Sequence, residues 1–122
     1  MAKTFDCKGI SDADLTKRKI ALIAQMRIPG NAVRASRVSQ FLTCGKKNCR
    51  CQKGRKHGPF QYLVQCMGVG SVRKFLLKTA AQRAQASAAI AAYVEFQEQL
   101  EKLSQINTEL LRRGLSLDGT AV

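Results

Sequence analysis

Residues 80–113 run for 34 positions without a proline or a glycine, and no other feature constrains the fold as strongly. The run opens on Thr79-Ala80-Ala81-Gln82, a capping box whose hydroxyl and amide satisfy the first backbone N–H groups of a helix. It closes on Arg112, Arg113 and Gly114, a basic last turn followed by a residue that readily leaves helical geometry. The predicted helix is about 50 Å long at 1.5 Å per residue. Ala86, Ala89, Tyr93, Phe96, Leu100, Leu103, Asn107 and Leu110 recur at alternating steps of three and four, a heptad stripe with one polar residue in the seam. Two uses of the stripe stand open. It docks on the chain's own sheet and first helix, or Tyr93, Phe96, Leu100, Leu103, Asn107 and Leu110 form a coiled coil with a second copy or seat a partner.

The 122-residue chain has room for a modest core around that helix. Ser11-Asp12-Ala13-Asp14 is a second capping signal, followed by Leu15, Ile20, Leu22, Ile23 and Met26 on a predicted apolar face and by a stop at Pro29-Gly30. Residues 32–42 read as a strand carrying Val33, Arg34, Val38, Phe41 and Leu42. FQYLVQCM (60–67) alternates cleanly, GVGS (68–71) reverses the chain, and VRKFLLK (72–78) completes a hairpin. The expected class is α+β: an N-terminal helix, a small three-stranded antiparallel sheet with a Cys/His loop, and the long C-terminal helix. One domain is expected over 11–114, with flexible tails at 1–10 and 115–122.

Charge is segregated along the chain. Residues 15–94 contain sixteen Lys/Arg and no Asp or Glu, within a net charge of +13. An uncompensated field of this kind attracts polyanions and repels copies of itself. The uncharged, partly apolar stretch 84–94 has eleven residues and is too short to span a bilayer. No strongly amphipathic basic helix points to a membrane surface. The opening MAKTFDCKGISDADL has no apolar core of an export signal, so a cytoplasmic, nucleoid-associated setting is expected and the five cysteines read as thiols or metal ligands.

CGKKNCRCQKGRKHGPF (44–60) concentrates three of those cysteines, six Lys/Arg and the single histidine. Cys44, Cys49, Cys51 and His57 follow C-x4-C-x-C-x5-H, and three thiolates with one imidazole suit a tetrahedral structural zinc. C-x-C is a less usual ligand spacing than C-x-x-C, so Cys66 on the following strand stands as an alternative fourth ligand. Unmetallated cysteines in a basic loop are the competing reading, and Cys7 is a bystander. No carboxylate lies near the loop to act as acid or base, and no phosphate-binding glycine loop ends in Lys-Ser/Thr. The chain is therefore not expected to be an enzyme.

The materials for nucleic-acid binding are present. Lys46, Lys47, Arg50, Lys53, Arg55 and Lys56 in the loop, with Arg34, Arg37, Arg73, Lys74 and Lys78 on the predicted strands, can meet phosphates. A β-ribbon can enter a major groove, where arginine reads guanine. Phe60 and Tyr62 can stack on unpaired bases, although their alternation with Val64 favours a place in the core.

Pro29-Gly30, Cys44-Gly45-Lys46, Cys49-Arg50-Cys51 and His57-Gly58-Pro59, followed by an aromatic strand, a hairpin and a long helix, resemble a family of small bacterial proteins of unknown function. That family is often found among genes of mobile elements and is sometimes labelled transposase-like. The resemblance covers residues 28–112. The aromatic cluster after HGP is thinner here, FQYL, and the hairpin turn is GVGS rather than a Gly-Lys type. It implies a setting in transposition or recombination and DNA more than RNA. The leading expectation is a non-enzymatic DNA-binding accessory protein with a zinc knuckle in a basic sheet, dimeric or docked on a recombinase or transposase through its long helix. The alternatives are a protein-interaction adaptor acting through that helix, dependent on Leu100, Leu103 and Leu110, and an RNA-binding regulator.

Overall fold

The computed structural model describes residues 7–46 and 48–117, with the backbone alone for Cys51 and Gln52. Helix α1 (Asp12–Gln25) is followed by strand β1 (Ser36–Leu42), a 3-10 turn (Arg50–Lys53), strands β2 (His57–Gly68) and β3 (Ser71–Leu76), and helix α2 (Ala80–Arg112). The fold is the expected α+β class. Among the described residues no helix is long and apolar enough to cross a membrane. The chain divides into two compact units, Met1–Gly30 with Tyr93–Val122, and Asn31–Ala92. α2 is long enough to contribute to both.

In the first unit Leu15, Ile106 and Leu110 are fully buried around Cys7, with Ile10, Leu22, Leu115 and Leu117 packed against them. Cys7, Ile10, Leu115 and Leu117, which the sequence reads as parts of flexible tails, pack in this core, and Cys7 serves there as a small apolar side chain. The rest of both predicted tails, 1–6 and 118–122, lies outside the described residues. Ser11 caps α1 as predicted, its hydroxyl accepting from Asp14 N at 3.2 Å. The buried stripe of α1 is Leu15 and Lys19, with Leu22 partly buried, whereas Ile20 and Ile23 are nearly half exposed. At about 100° per residue both isoleucines rotate away from the line through Leu15. Lys19 runs its stem along the core and donates from Nζ to the Leu117 carbonyl at 2.8 Å.

Buried Glu109 holds the end of α2. It accepts from Arg112 Nε at 2.9 Å and Arg113 Nε at 2.7 Å, while Arg113 also reaches Asp12 at 2.7 Å and the Cys7 carbonyl at 3.2 Å. Hydrogen bonds from Arg112 and Arg113 lower the Glu109 pKa from 4.5 to about 2. A carboxyl depressed in the folded state adds stability above about pH 4.5, and that contribution is lost as pH falls towards 2. Thermal melts followed by circular dichroism should show the midpoint falling across this window. Glu109→Gln should lower the midpoint at neutral pH and flatten the acid slope.

The second unit is built on the sheet, ordered β1-β2-β3 and antiparallel throughout. β1 starts at Ser36, later than the sequence predicts. Val33 N–H is already engaged by the Ala89 carbonyl of α2 at 3.1 Å, and Val33 and Ala35 pack against the Leu63, Leu77 and Ala86 cluster. The hairpin between β2 and β3 turns on Val69-Gly70, with Gly70 at φ +73°, the left-handed position that favours glycine. Thr79 caps α2 as predicted, Gln82 N donating to Thr79 Oγ1 at 3.0 Å, while Gln82 Oε1 accepts from the N–H of Lys78, one residue before the cap, at 2.6 Å.

Successive strand residues face opposite sides, so the side that α2 covers is decisive. Leu63 packs with Ala86, and Arg37, opposite Leu63 in register, reaches Ser87. The core therefore lies on the Gln61, Leu63, Gln65 side. Phe60, Tyr62 and Val64 belong to the other side and are half-buried. This corrects the expectation that the two aromatics fill the core. Periodicity found both faces of β2, but only the position of α2 selects between them.

Candidate metal centre

The pairing of Leu42 with His57 closes the ends of the loop that carries the cysteines. Cys44 lies two residues beyond β1, Cys49 immediately precedes the 3-10 turn, and His57 is the first residue of β2. A turn in which Cys49 N donates to the Lys46 carbonyl at 3.3 Å brings Cys49 back towards the strand ends. Cys49 Sγ and His57 Nε2 are 3.0 Å apart. The ligand atoms of Cys44, Cys49 and His57 all lie within 4.8 Å of one another, and the three residues are half-buried.

Gly58 enables this corner. It has φ +131°, and a Cβ there would sit 2.8 Å from the Gln40 carbonyl oxygen and 3.3 Å from Phe41 Cα. A side chain would push β1 away from the first residues of β2 and spread the ligands. An open cavity of about 420 Å3 adjoins the three ligands, lined also by Leu42, Thr43, Lys46 and Phe60. The sequence places Leu42 on a strand but gives neither Leu42 nor Thr43 a part in the site. They reach the site through the register of β1 on β2, which local spacing does not display.

The donor set suits a borderline-soft ion. Tetrahedral coordination at about 2.3 Å from sulfur and about 2.0 Å from nitrogen asks for donors roughly 3.5–4 Å apart. Small side-chain rotations bring the three groups to that spacing, so they lie close enough to hold a metal ion. The Cys51 side chain, named as a ligand from the sequence, lies outside the described residues. Cys66 is paired with Val72 near the far end of β2. Nine residue steps along the strand separate it from His57, about 30 Å at 3.3 Å each. The strand that carries His57 thus takes Cys66 out of the cluster.

The loop cations Lys46, Arg50, Lys53, Arg55 and Lys56 are exposed, and Lys47 lies outside the described residues. The strand cations are not one group. Arg37 is drawn to the α2 side by Ser87 and Gln61, Arg73 lies on that same side, and Arg34 donates to the Cys66 carbonyl at 2.6 Å. Lys74 is on the opposite side, its Nζ 4.5 Å from the Tyr62 ring centroid and 2.8 Å from Gln40 Oε1. Lys78 follows β3 and is exposed.

A family described as a domain of unknown function, DUF6788, matches residues 13–74, just over half of the chain. The chain belongs to this family. The DUF6788 match runs from α1 through β2 and most of β3, so it contains the entire Cys/His loop and stops before α2. No curated protein and no solved structure matches the chain.

Proposed function

We propose that this DUF6788 protein is a non-enzymatic nucleic-acid-binding accessory protein, acting on DNA more than RNA, with a zinc knuckle shaping its basic loop. One observation carries the reading. The unit Asn31–Ala92 contains twelve Lys/Arg and no Asp or Glu, while all eight acids of the chain fall in the other unit. A folded body with no internal counter-charge calls for an anionic partner. The metal cluster sits inside that body and would hold a loop that otherwise repels itself. The resemblance of the CGK, CRC and HGP motifs supports a setting in transposition or recombination.

Affinity for a DNA oligonucleotide measured across a salt series tests the proposal. With about five phosphates neutralised, log affinity should fall against log salt with a slope near −4 to −5. Binding that does not respond to salt, or no binding, overturns it. The same series with RNA decides between the two polymers. A second reading, a homodimer or a recombinase or other protein partner held by α2, draws on Leu100, 49% exposed on the heptad stripe, and on Asn107 Oδ1, buried without a hydrogen-bond partner.

A further inference from the structure

The sheet side opposite α2 combines two aromatic rings with the Lys74 ammonium, in a unit whose sequence has no carboxylate. Phe60 and Tyr62 lie two residues apart on the central strand, about 7 Å along it, on the same side. Register places Val38 and Leu76 beside Tyr62, Gln40 beside Phe60, and Ser36 and Lys74 beside Val64. Val72, beside Cys66, is 61% exposed. The Lys74 ammonium sits over the Tyr62 ring, 4.5 Å from its centroid, so a base that stacks on that face takes the place of Lys74, whose long stem lets it swing to a neighbouring phosphate. Phe60 also lines the cavity at the Cys/His cluster together with Lys46.

We infer that this side is a stacking platform for single-stranded nucleic acid, with one base on Phe60, a second on Tyr62, and Lys74 and Lys46 meeting the flanking phosphates. The inference rests on the nucleic-acid reading above and names the form of polymer. An anionic occupant suits this side, because the twelve Lys/Arg of the unit meet no Asp or Glu within it. It must also offer flat apolar faces to two rings. Unpaired bases on a phosphate chain do both, whereas a duplex hides its base faces in the stack.

The test compares a single-stranded oligothymidylate of about 16 nucleotides with the corresponding oligouridylate and with a duplex of the same length, using the full chain. Phe60→Ala and Tyr62→Ala should each weaken single-strand binding roughly tenfold and leave duplex binding within about twofold. Tyr62→Phe should retain it. The chain has no tryptophan, so Phe60→Trp supplies one fluorophore, and stacking should quench it. That readout, with Tyr62→Phe, decides the matter if an alanine variant fails to fold. Equal binding of single strand and duplex with no quenching overturns the platform and leaves the nucleic-acid reading standing. Failure to bind any of the three polymers overturns both. A concentration-dependent dimer that Tyr62→Ala disperses assigns the surface to a second copy and also overturns the platform.

Discussion

Purified without chelator, the chain is expected to carry one zinc ion per molecule, and Cys49→Ser is expected to carry none. Cys44, Cys49 and His57 already have their donor atoms within 4.8 Å of one another, and removing one thiolate leaves two described ligands. Structural zinc contributes on the order of 10 kcal/mol of apparent binding free energy in small sites. Removing it should therefore release residues 43–56, where exposed cations repel one another. Elemental analysis with chelator titration gives the stoichiometry, and amide exchange across the loop reports its order. Cys66→Ser should keep the ion, because the length of β2 separates that thiol from the cluster. Loss of metal in Cys51→Ser would complete a Cys3His set. Protein that holds no metal, or a Cys49→Ser variant that retains it, would sink the knuckle.

The second large effect concerns α2. Ile106→Ala is expected to cost about 2–5 kcal/mol in denaturant unfolding, as buried aliphatic truncations do, and Leu100→Ala to stay within about 0.5 kcal/mol. Ile106 is 2% exposed and Leu100 49%. The heptad pattern ranks them the other way, since Leu100 lies on the stripe and Ile106 does not. A straight helix drifts by about 20° per heptad from a 3.5-residue repeat. That drift is small beside the roughly 120° around the helix that separates Leu100 from Ile106, so it is packing against Leu15 that buries Ile106 together with the stripe residue Leu110. A Leu100→Ala penalty that grows with protein concentration would instead reveal a coiled coil between copies.

Much of the architecture could be read from local chemistry. Ser11 and Thr79 announced the helix starts, the alternation of 60–67 announced β2, and the glycines at 68 and 70 announced the hairpin. Each is a signal within a few residues, where backbone geometry and capping act directly. The fold missed where distant partners decide. Val33 gives its N–H to Ala89 and shortens β1, Cys7 enters a core through Leu15, Ile106 and Leu110, and Ile20 and Ile23 are left facing out.

The candidate site divides in the same way. The sequence by itself determined that the thiols, the imidazole and a carboxylate-free run of cations share one short loop, because composition and spacing are properties of the chain alone. Only the tertiary structure decided that Cys44, Cys49 and His57 meet while Cys66 does not, because the Leu42–His57 pairing brings two strand ends together and the extended length of β2 carries Cys66 away. It also decided which face of β2 is core. A strand offers two faces at every position, and the side on which α2 packs turned Leu63 inward and left Phe60 and Tyr62 on the other.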